Sequence, residues 1–184
     1  ELIITYNQVK DAVEDIIHHL SKFEHNEEFY YNLRSLDPSK LENSYRAARL
    51  IYLNKTCFNG LYRVNKKGQF NVPYGKGNGS FLNEEVLRNA SEFLADTTII
   101  NSDYLDVLNE FATDGDFIFL DPPYYPVGKY SDFKRYTKEL FYQEDQVRLK
   151  EEFGRLVNVG CKVVLTNSDH EVILDLYSDY QIAA

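Results

Sequence analysis

The octapeptide Phe-Ile-Phe-Leu-Asp-Pro-Pro-Tyr at residues 117–124 joins four apolar residues to a carboxylate, two prolines and an aromatic ring. Four consecutive apolar residues predict a strand that is buried on both faces, as in parallel sheets. Pro122 and Pro123 have no N–H to donate, so they end the strand and leave Asp121 at its carboxyl edge, where open α/β sheets bind ligands. The alternative is a strand followed by a stiff surface turn, because turns favour the same residues.

The sequence around this strand alternates between helical and extended patterns. Helices are predicted over residues 83–95, 104–111, 143–159 and 170–177, and strands over 97–101, 117–120, 162–166 and from about residue 180. Strands alternating with helices predict an α/β fold with a parallel sheet. Asp103 follows the predicted strand 97–101, so a second carboxylate is expected at the same edge as Asp121. Two aspartates at neighbouring strand ends predict one site.

The N-terminal part of the chain is predicted to be helical. Apolar residues at helical spacing predict an amphipathic helix over residues 2–23. Asp37-Pro38-Ser39 is a typical helix start and predicts a second helix that runs into Asn54. The histidines in this region lack the spacing of a metal site, so no metal is predicted.

Composition bounds the class of protein. The 184 residues suffice for one domain with a core, or for one domain carrying an insertion. The hydrophobic fraction of 43% and the charged fraction of 27% are typical of soluble globular proteins. No apolar run approaches the ~18 residues of a membrane span, and no signal-peptide pattern opens the sequence. Two cysteines give no disulfide framework, so a cytoplasmic setting is expected.

Positive charge is concentrated in one segment, although the net charge is −9. No acidic residue occurs between Asn43 and Asn83. The same segment carries seven basic residues: Arg46, Arg49, Lys55, Arg63, Lys66, Lys67 and Lys76. This distribution predicts a surface that neutralises phosphates, with a solvated basic patch as the alternative.

Glycine, aromatic and basic residues interleave over residues 54–80. Residues 61–64 and 69–72 flank a turn at 65–68 and predict a β-hairpin. Four of the side chains can stack, wedge or contact base edges: Phe58, Asn59, Arg63 and Asn71. The alternative is a hairpin that lies between helices and has no binding role.

Asp121-Pro122-Pro123-Tyr124, together with the segment NKTCFNGLYRVNKKGQFNVPYG at residues 54–75, resembles the Dam-like, D12 class DNA adenine methylases. The resemblance covers nearly the whole chain, and the hairpin is more specific than the Asp-Pro-Pro-Tyr motif, which several amino-methyltransferases share. It implies an S-adenosylmethionine-dependent enzyme that acts on duplex DNA. The implied fold is a Rossmann-like catalytic domain, with its first helix at 1–23 and the remainder at 96–184, and an inserted helical and β-hairpin recognition domain at 24–95.

The resemblance implies a catalytic role for Asp121, Pro122, Pro123 and Tyr124. The amine of adenine is a poor nucleophile because its lone pair is delocalised into the ring. The carboxylate of Asp121 and the carbonyl of Pro122 are expected to accept one N–H each, while Tyr124 stacks on a flipped adenine. Asp103 and Asp121 are expected to border the cofactor, with Asp103 accepting from its adenine amine. A helix cap is an alternative role for Asp103 that does not exclude the first.

The resemblance also implies the DNA contacts. Phe58 and Asn59 are expected to enter the base stack, Leu61 and Pro73 to contact thymine, and Arg63 to donate to guanine. Within the family, the hairpin most resembles members that recognise GATC. Four basic residues are assigned to phosphates, with a solvated surface as the alternative: Lys66, Lys67, Lys134 and Arg135. Lys55, Asn65 and Asn71 complete the expected interface.

The sequence departs from the family at its start, where the glycine-rich cofactor loop and the following acidic residue are missing. The chain opens on Glu1 and contains no methionine. We therefore expect that part of the natural protein is missing, and that residues 1–184 alone bind S-adenosylmethionine weakly and are inactive.

Two other functions stay open at this point. One is an amino-methyltransferase that acts on protein glutamine, and the other is a catalytically incomplete DNA-binding fragment or pseudo-enzyme. A monomer is expected, because each strand of a palindromic site can be methylated in a separate visit. A paired restriction endonuclease is a further expected partner.

Overall fold

The computed structural model describes residues 1–65, 67–75, 77, 79–127 and 143–183. The chain divides into two compact units, Glu1–Asn101 and Ser102–Ala184. The first contains helices α1 (Leu2–Asp11), α2 (Val13–Leu20), α3 (Glu27–Ser35), α4 (Asn43–Thr56) and α5 (Glu84–Leu94), with short 3-10 turns at Pro38–Lys40 and Phe58–Gly60. The second contains α6 (Tyr104–Phe111), β1 (Phe117–Leu120), α7 (Gln143–Val159), β2 (Lys162–Leu165) and α8 (Glu171–Leu176).

Helix α4 is central to the first unit and packs against α1, α2 and α3. Ala47 and Ala48 are fully buried on it, and their small side chains let the neighbouring helices approach closely. Tyr52 is also fully buried, and its hydroxyl donates to the Glu24 carbonyl at 2.8 Å. The buried phenol therefore keeps a hydrogen-bond partner while its ring fills the core.

The single helix predicted over residues 2–23 is wrong, because the chain forms α1 and α2 with a break at Ala12 (φ −146°, ψ 41°). The Ser91 hydroxyl on α5 donates to the Lys10 carbonyl at 3.1 Å. In a continuous helix that carbonyl would accept from the backbone four residues on. A contact from a distant helix thus takes the place of a local helical bond.

The helix predicted to start at Asp37-Pro38-Ser39 begins later, at Asn43. The start signal itself is used by the 3-10 turn Pro38–Lys40, where the Asp37 carboxylate accepts from the Ser39 N–H at 3.0 Å. The preceding helix α3 is capped by Asn26, whose side chain accepts from the Phe29 N–H.

The hairpin within residues 54–80 is confirmed in its antiparallel pairing, but it consists of isolated bridges. Val64 pairs with Phe70, and Cys57 pairs with Tyr74. The turn is closed by the Asn65 side chain, whose oxygen accepts from the Lys67 and Gln69 N–H groups at 2.9 and 3.1 Å. An Asn side chain that imitates the backbone in this way is typical of turns.

The second unit holds a parallel pair of strands. β1 and β2 are in register from Phe117↔Lys162 to Leu120↔Leu165, with α7 between them in the sequence. The helices predicted over 83–95, 104–111, 143–159 and 170–177 and the strands over 117–120 and 162–166 are confirmed within one or two residues. The other two predicted strands are wrong, since residues 97–101 and 180–183 form no strand.

The prediction that the strand at 117–120 is covered on both faces is also wrong for the described residues. Ile118 and Leu120 are half-buried, whereas Phe117 and Phe119 are 67% and 56% exposed. On the covered face, Leu120 packs with Val163 and Leu165 against a core centred on Phe153, Ile173 and Tyr177. Side chains alternate across a strand, so the residues that pack against one side leave the other apolar stripe bare.

None of the helices in the described ranges is long and apolar enough to cross a membrane. Helices α1 and α2 pack on α4 and α5 inside the first unit. The assignment of residues 1–23 and 96–184 to a catalytic domain, and of 24–95 to an inserted domain, stays a prediction.

Candidate active site and nucleic-acid interface

Asp121 directly follows β1, and Thr166 directly follows the neighbouring strand β2. Because the strands are parallel, their carboxyl ends lie at the same edge of the sheet. The Thr166 hydroxyl donates to Asp121 Oδ1 at 2.6 Å, and the Thr166 N–H donates to the Leu120 carbonyl at 3.0 Å. The carboxylate is exposed, so it is oriented by one hydroxyl and still faces solvent.

Two side-chain amides, one buried and one half-buried, hold the loop that follows Asp121. Gln146 on α7 is fully buried, and its Nε2 donates to the Pro123 carbonyl at 3.0 Å. Asn167 Oδ1 accepts from the Tyr125 N–H at 3.0 Å. Tyr124 projects between these anchored positions and is 54% exposed. The Asp-Pro-Pro-Tyr residues are therefore brought together at the sheet edge, as the sequence predicts, with an accessible aromatic ring.

Sequence reasoning missed Thr166, Gln146 and Asn167. Thr166-Asn167-Ser168 is a polar run that directly follows an apolar strand, which is the same signal that identified Asp121. That signal could have found Thr166 and Asn167. Gln146 lies inside a helix with ordinary spacing, and no local pattern distinguishes it.

Asp103 caps the helix after it, and its Oδ1 accepts from the Leu105 N–H at 2.9 Å. The capping alternative is confirmed, but residues 97–101 form no strand, so Asp103 does not lie at a strand end. Its side chain is exposed. The cofactor role of Asp103 stays a prediction.

Residues 58–61, called the tip below, lie beside the hairpin and present apolar side chains to solvent. Phe58 and Leu61 are 52% and 50% exposed, and Pro73 is exposed beside them. The Phe58 N–H donates to the Pro73 carbonyl at 2.9 Å, which ties the tip to the second half of the hairpin. Asn59 has φ 54° and ψ 22°, a left-handed conformation that Asn tolerates better than most residues. These exposed apolar groups are consequently held on a fixed backbone.

Gly75 allows the tip and the hairpin to approach closely. A Cβ on Gly75 would lie 2.6 Å from the Cys57 carbonyl oxygen, a distance that no side chain can accept. The Gly75 N–H donates to the Thr56 carbonyl at 2.8 Å. Glycine is thus required where the chain returns to the end of α4.

Arg63 is exposed on the hairpin, and Asn71 on the opposite side orients its guanidinium. Arg63 Nε donates to Asn71 Oδ1 at 2.9 Å, and Nη2 donates to the Asn71 carbonyl at 3.3 Å. The structure brings together two residues that the sequence assigned to DNA independently. These bonds leave further N–H donors of the guanidinium on an exposed, oriented side chain.

Helix α3 anchors the hairpin through Val72. The Tyr30 hydroxyl and Arg34 Nη1 both donate to the Val72 carbonyl, at 2.8 and 2.7 Å. Tyr30 is fully buried, and burial raises the pKa of its phenol well above the ordinary value, so the group stays a neutral donor. The Arg34 guanidinium lies 4.7 Å from the centre of the Tyr31 ring.

The Tyr30→Phe substitution is expected to lower the free energy of unfolding by about 1 kcal/mol. It removes one hydrogen bond to the Val72 carbonyl, which keeps its bond from Arg34. Urea denaturation measures the change. Tyr6→Phe on α1 is the matched control, since Tyr6 is 47% exposed. Equal stability of the two variants would show that the Tyr30 hydroxyl does not anchor the hairpin.

The basic residues of the acid-free segment do not all face solvent. Arg49 is buried, donates to the Leu33 and Arg34 carbonyls, and pairs with Glu1 at 2.9 Å. Burial lowers the pKa of Arg49, and the Glu1 carboxylate opposes that shift. Arg49 is therefore structural, whereas Lys55 and Lys67 are exposed. Lys66, Lys134 and Arg135, which the sequence also assigned to DNA, lie outside the described residues.

The sequence matches one protein-family model and several known proteins. The family model of D12 class N6 adenine-specific DNA methyltransferases matches residues 1–184. A type II methyltransferase, M1.LlaDCHI of Lactococcus lactis subsp. cremoris, is 42% identical over 191 residues, covering 99% of this chain and 67% of the relative.

Two further relatives are similar over most of the chain. Type II methyltransferase M.MjaIII of Methanocaldococcus jannaschii is 40% identical over 182 residues, covering 91% of this chain and 62% of that protein. A DNA adenine methylase of Serratia marcescens is 32% identical over 183 residues, covering 96% of this chain and 67% of the relative. The chain thus spans about two thirds of the length of these relatives.

Proposed function

The chain belongs to the D12 class of N6 adenine-specific DNA methyltransferases, and from this membership we propose that the protein methylates the exocyclic amine of an adenine flipped out of duplex DNA, with S-adenosylmethionine as donor. The proposed target site is GATC. The observation that carries the proposal is the pair of acceptors that Asp121 and Pro122 offer at the edge of the sheet, beside the accessible ring of Tyr124.

The two acceptors suit the amine of adenine. Asp121 Oδ1 is engaged by Thr166, and among the described residues no donor is bonded to Oδ2 or to the Pro122 carbonyl. Each of these oxygens can accept one N–H of the amine. The lone pair of the nitrogen is then withdrawn from conjugation with the ring and becomes available to an electrophile. Catalysis of this kind is mainly positioning and electrostatic stabilisation.

Base flipping brings the adenine to these acceptors. The ring has to leave the stack, at a cost of a few kcal/mol. Tyr124 offers an exposed aromatic face beside Pro122 and Pro123, so it can stack on the extruded base. Phe58 and Asn59 are proposed to enter the duplex beside the vacated position.

The residues present fit S-adenosylmethionine at one position. Asp103 uses one carboxylate oxygen to cap α6, and within the described ranges no group is bonded to the other. That oxygen can accept from the amine of the cofactor adenine, and Asp121 is proposed to border the cofactor as well. When bound, the cofactor supplies an electrophilic methyl group.

Most of the proposed DNA contacts lie in the first unit. Arg63 is proposed to donate to guanine in the major groove, and Leu61 and Pro73 to contact thymine. Lys55, Asn65, Lys67 and Asn71 complete the described part of the proposed interface, and Lys66, Lys134 and Arg135 are proposed phosphate contacts. Residues 24–95 would then form the recognition domain inserted in a Rossmann-like fold, and the other residues the catalytic domain.

Two of the relatives bear type II methyltransferase names. We therefore propose that the protein is paired with a restriction endonuclease, whose cleavage the methylation would block. A monomer suffices for this activity, since the two strands of a palindrome can be modified in separate encounters.

Transfer of a labelled methyl group by the full-length protein tests the function. The label is expected in N6-methyladenine after digestion of a GATC duplex, and not in a duplex whose target adenine is replaced by guanine. Label in protein glutamine instead would identify a protein methyltransferase. Binding to the duplex without any transfer would identify a DNA-binding pseudo-enzyme.

A further inference from the structure

The loop at residues 121–125 is held by a relay of two side-chain amides. Gln146 Oε1 accepts from Asn167 Nδ2 at 3.0 Å, while Gln146 Nε2 donates to the Pro123 carbonyl at the same distance. Asn167 Oδ1 accepts from the backbone N–H of Tyr125 at 3.0 Å and from that of Ser168 at 2.9 Å. The relay connects α7, the loop after β2 and the proposed catalytic loop.

The burial of Gln146 makes this arrangement specific. Its exposed fraction is 0%, so an amide that lost its partners there would carry the full penalty of an unsatisfied buried polar group. The direction of each bond is also fixed. Only the nitrogen of Gln146 can donate to a carbonyl, and only its oxygen can accept from Asn167. The loop therefore has one favourable position relative to α7.

The hydrogen bonds made by Gln146 and Thr166 determine which oxygens of the loop stay available as acceptors. The Pro123 carbonyl is occupied by Gln146, and Asp121 Oδ1 is occupied by Thr166. Among the described residues, the neighbouring Pro122 carbonyl and Asp121 Oδ2 accept no hydrogen bond. These are the two acceptors that the proposed reaction needs.

We propose that Gln146, Asn167 and Thr166 are positioning residues, which fix the 121–125 loop so that the Pro122 carbonyl and Asp121 Oδ2 face the methyl-accepting amine. This inference rests on the proposed function. None of the three needs to touch the substrate. Their effect is on the geometry of the acceptors, and misplacement of a reacting group by a fraction of an ångström lowers the rate of the chemical step.

The Gln146→Glu substitution in the full-length protein tests the relay. The introduced carboxylate has nearly the shape of the amide, but it cannot donate to the Pro123 carbonyl when ionised. We expect kcat to fall about tenfold at pH 8, with the KM for duplex DNA unchanged. As the pH falls towards 6, the carboxyl gains a proton and an O–H donor, since burial raises the pKa of such a group. Activity should then recover.

Gln143→Glu is the matched control, because Gln143 begins the same helix and is exposed. Among the described residues, the native titratable groups of the loop and its neighbours include the Asp121 carboxylate, the Tyr124 and Tyr125 phenols and the His170 ring, which lies 4.6 Å from the Tyr125 ring between centroids. Both variants contain these groups. The ratio of the two kcat values across pH therefore isolates the introduced carboxyl. A ratio near one at every pH, or a loss that does not vary with pH, would overturn the role of Gln146.

Thr166 provides a second test that does not depend on a buried substitution. Thr166→Ser keeps the hydroxyl that donates to Asp121 Oδ1 and should retain kcat, whereas Thr166→Val should lose about tenfold. If circular dichroism shows that Gln146→Glu does not fold, the two Thr166 variants decide the test. Equal kcat values for Thr166→Ser and Thr166→Val then reject the inference. Absence of transfer by the unsubstituted protein rejects the proposed function itself, and the inference with it. If the unsubstituted protein transfers the methyl group and the variants are equally active, only the inference about the positioning residues is rejected.

Discussion

The Asp121→Ala substitution is expected to reduce methyl transfer by about 10²- to 10³-fold, while the protein still binds duplex DNA. The substitution removes Oδ2, one of the two acceptors proposed for the adenine amine, and leaves the Pro122 carbonyl alone. A single acceptor cannot hold both N–H groups, so the lone pair stays conjugated with the ring. Folding should be little affected, because the side chain is exposed and its bond to Thr166 lies at the surface.

Single-turnover methylation of a GATC duplex at saturating cofactor measures this loss, and a binding titration measures the affinity for the same duplex. Asp179→Ala is the matched control, since Asp179 is an exposed aspartate of the second unit outside the site. A wild-type rate for Asp121→Ala would show that the carboxylate is not an acceptor in the reaction. A parallel loss in both variants would point to a general effect of removing a carboxylate.

Elements with a strong local pattern could be predicted from the sequence. Helix α7 has apolar residues at helical spacing, and strands β1 and β2 are short apolar runs next to turn residues. Their bounds agree with the prediction because the residues that define each element are contiguous. The parallel pairing also followed, since a helix separates the two strands in the sequence.

Elements that depend on distant contacts could not be predicted. At the break near Ala12, the Lys10 carbonyl accepts from the Ser91 hydroxyl, which lies 81 residues away in the sequence. Residues 97–101 have the β-branched composition of a strand, but the Thr97 carbonyl accepts from Lys10 Nζ at 2.9 Å. A strand requires a neighbouring strand, and the described residues provide none there.

The residues of the candidate site also divide into those that a local motif predicts and those that depend on distant contacts. Asp121 and Tyr124 were found because the whole motif lies within eight residues, next to the strand that positions it. Gln146 was missed because its role is defined by Pro123 and Asn167, which are 23 and 21 residues away. The burial of Gln146 results from tertiary packing, which the local sequence does not reveal.

The Arg63→Ala substitution is expected to lower discrimination at the guanine of the site by about 10- to 100-fold, while the rate on the best site falls less. A bidentate arginine contact to guanine contributes about 1–3 kcal/mol of selectivity. Asn71 pre-orients the guanidinium through two hydrogen bonds, so little conformational freedom is lost when the base is bound. The hairpin should survive the change, because the Asn71 N–H donates to the backbone carbonyl of residue 63 at 3.1 Å.

Values of kcat/KM on the GATC duplex and on duplexes with the guanine replaced give the discrimination directly. Lys67→Ala is the informative comparison, because Lys67 is exposed in the same hairpin and is assigned to phosphate. A phosphate contact carries no base information, so its loss should weaken binding to all duplexes alike and reduce the salt dependence. Arg63→Ala should instead change the ranking of the duplexes. If both variants lower every kcat/KM by one common factor, Arg63 binds the backbone and guanine is recognised by another residue.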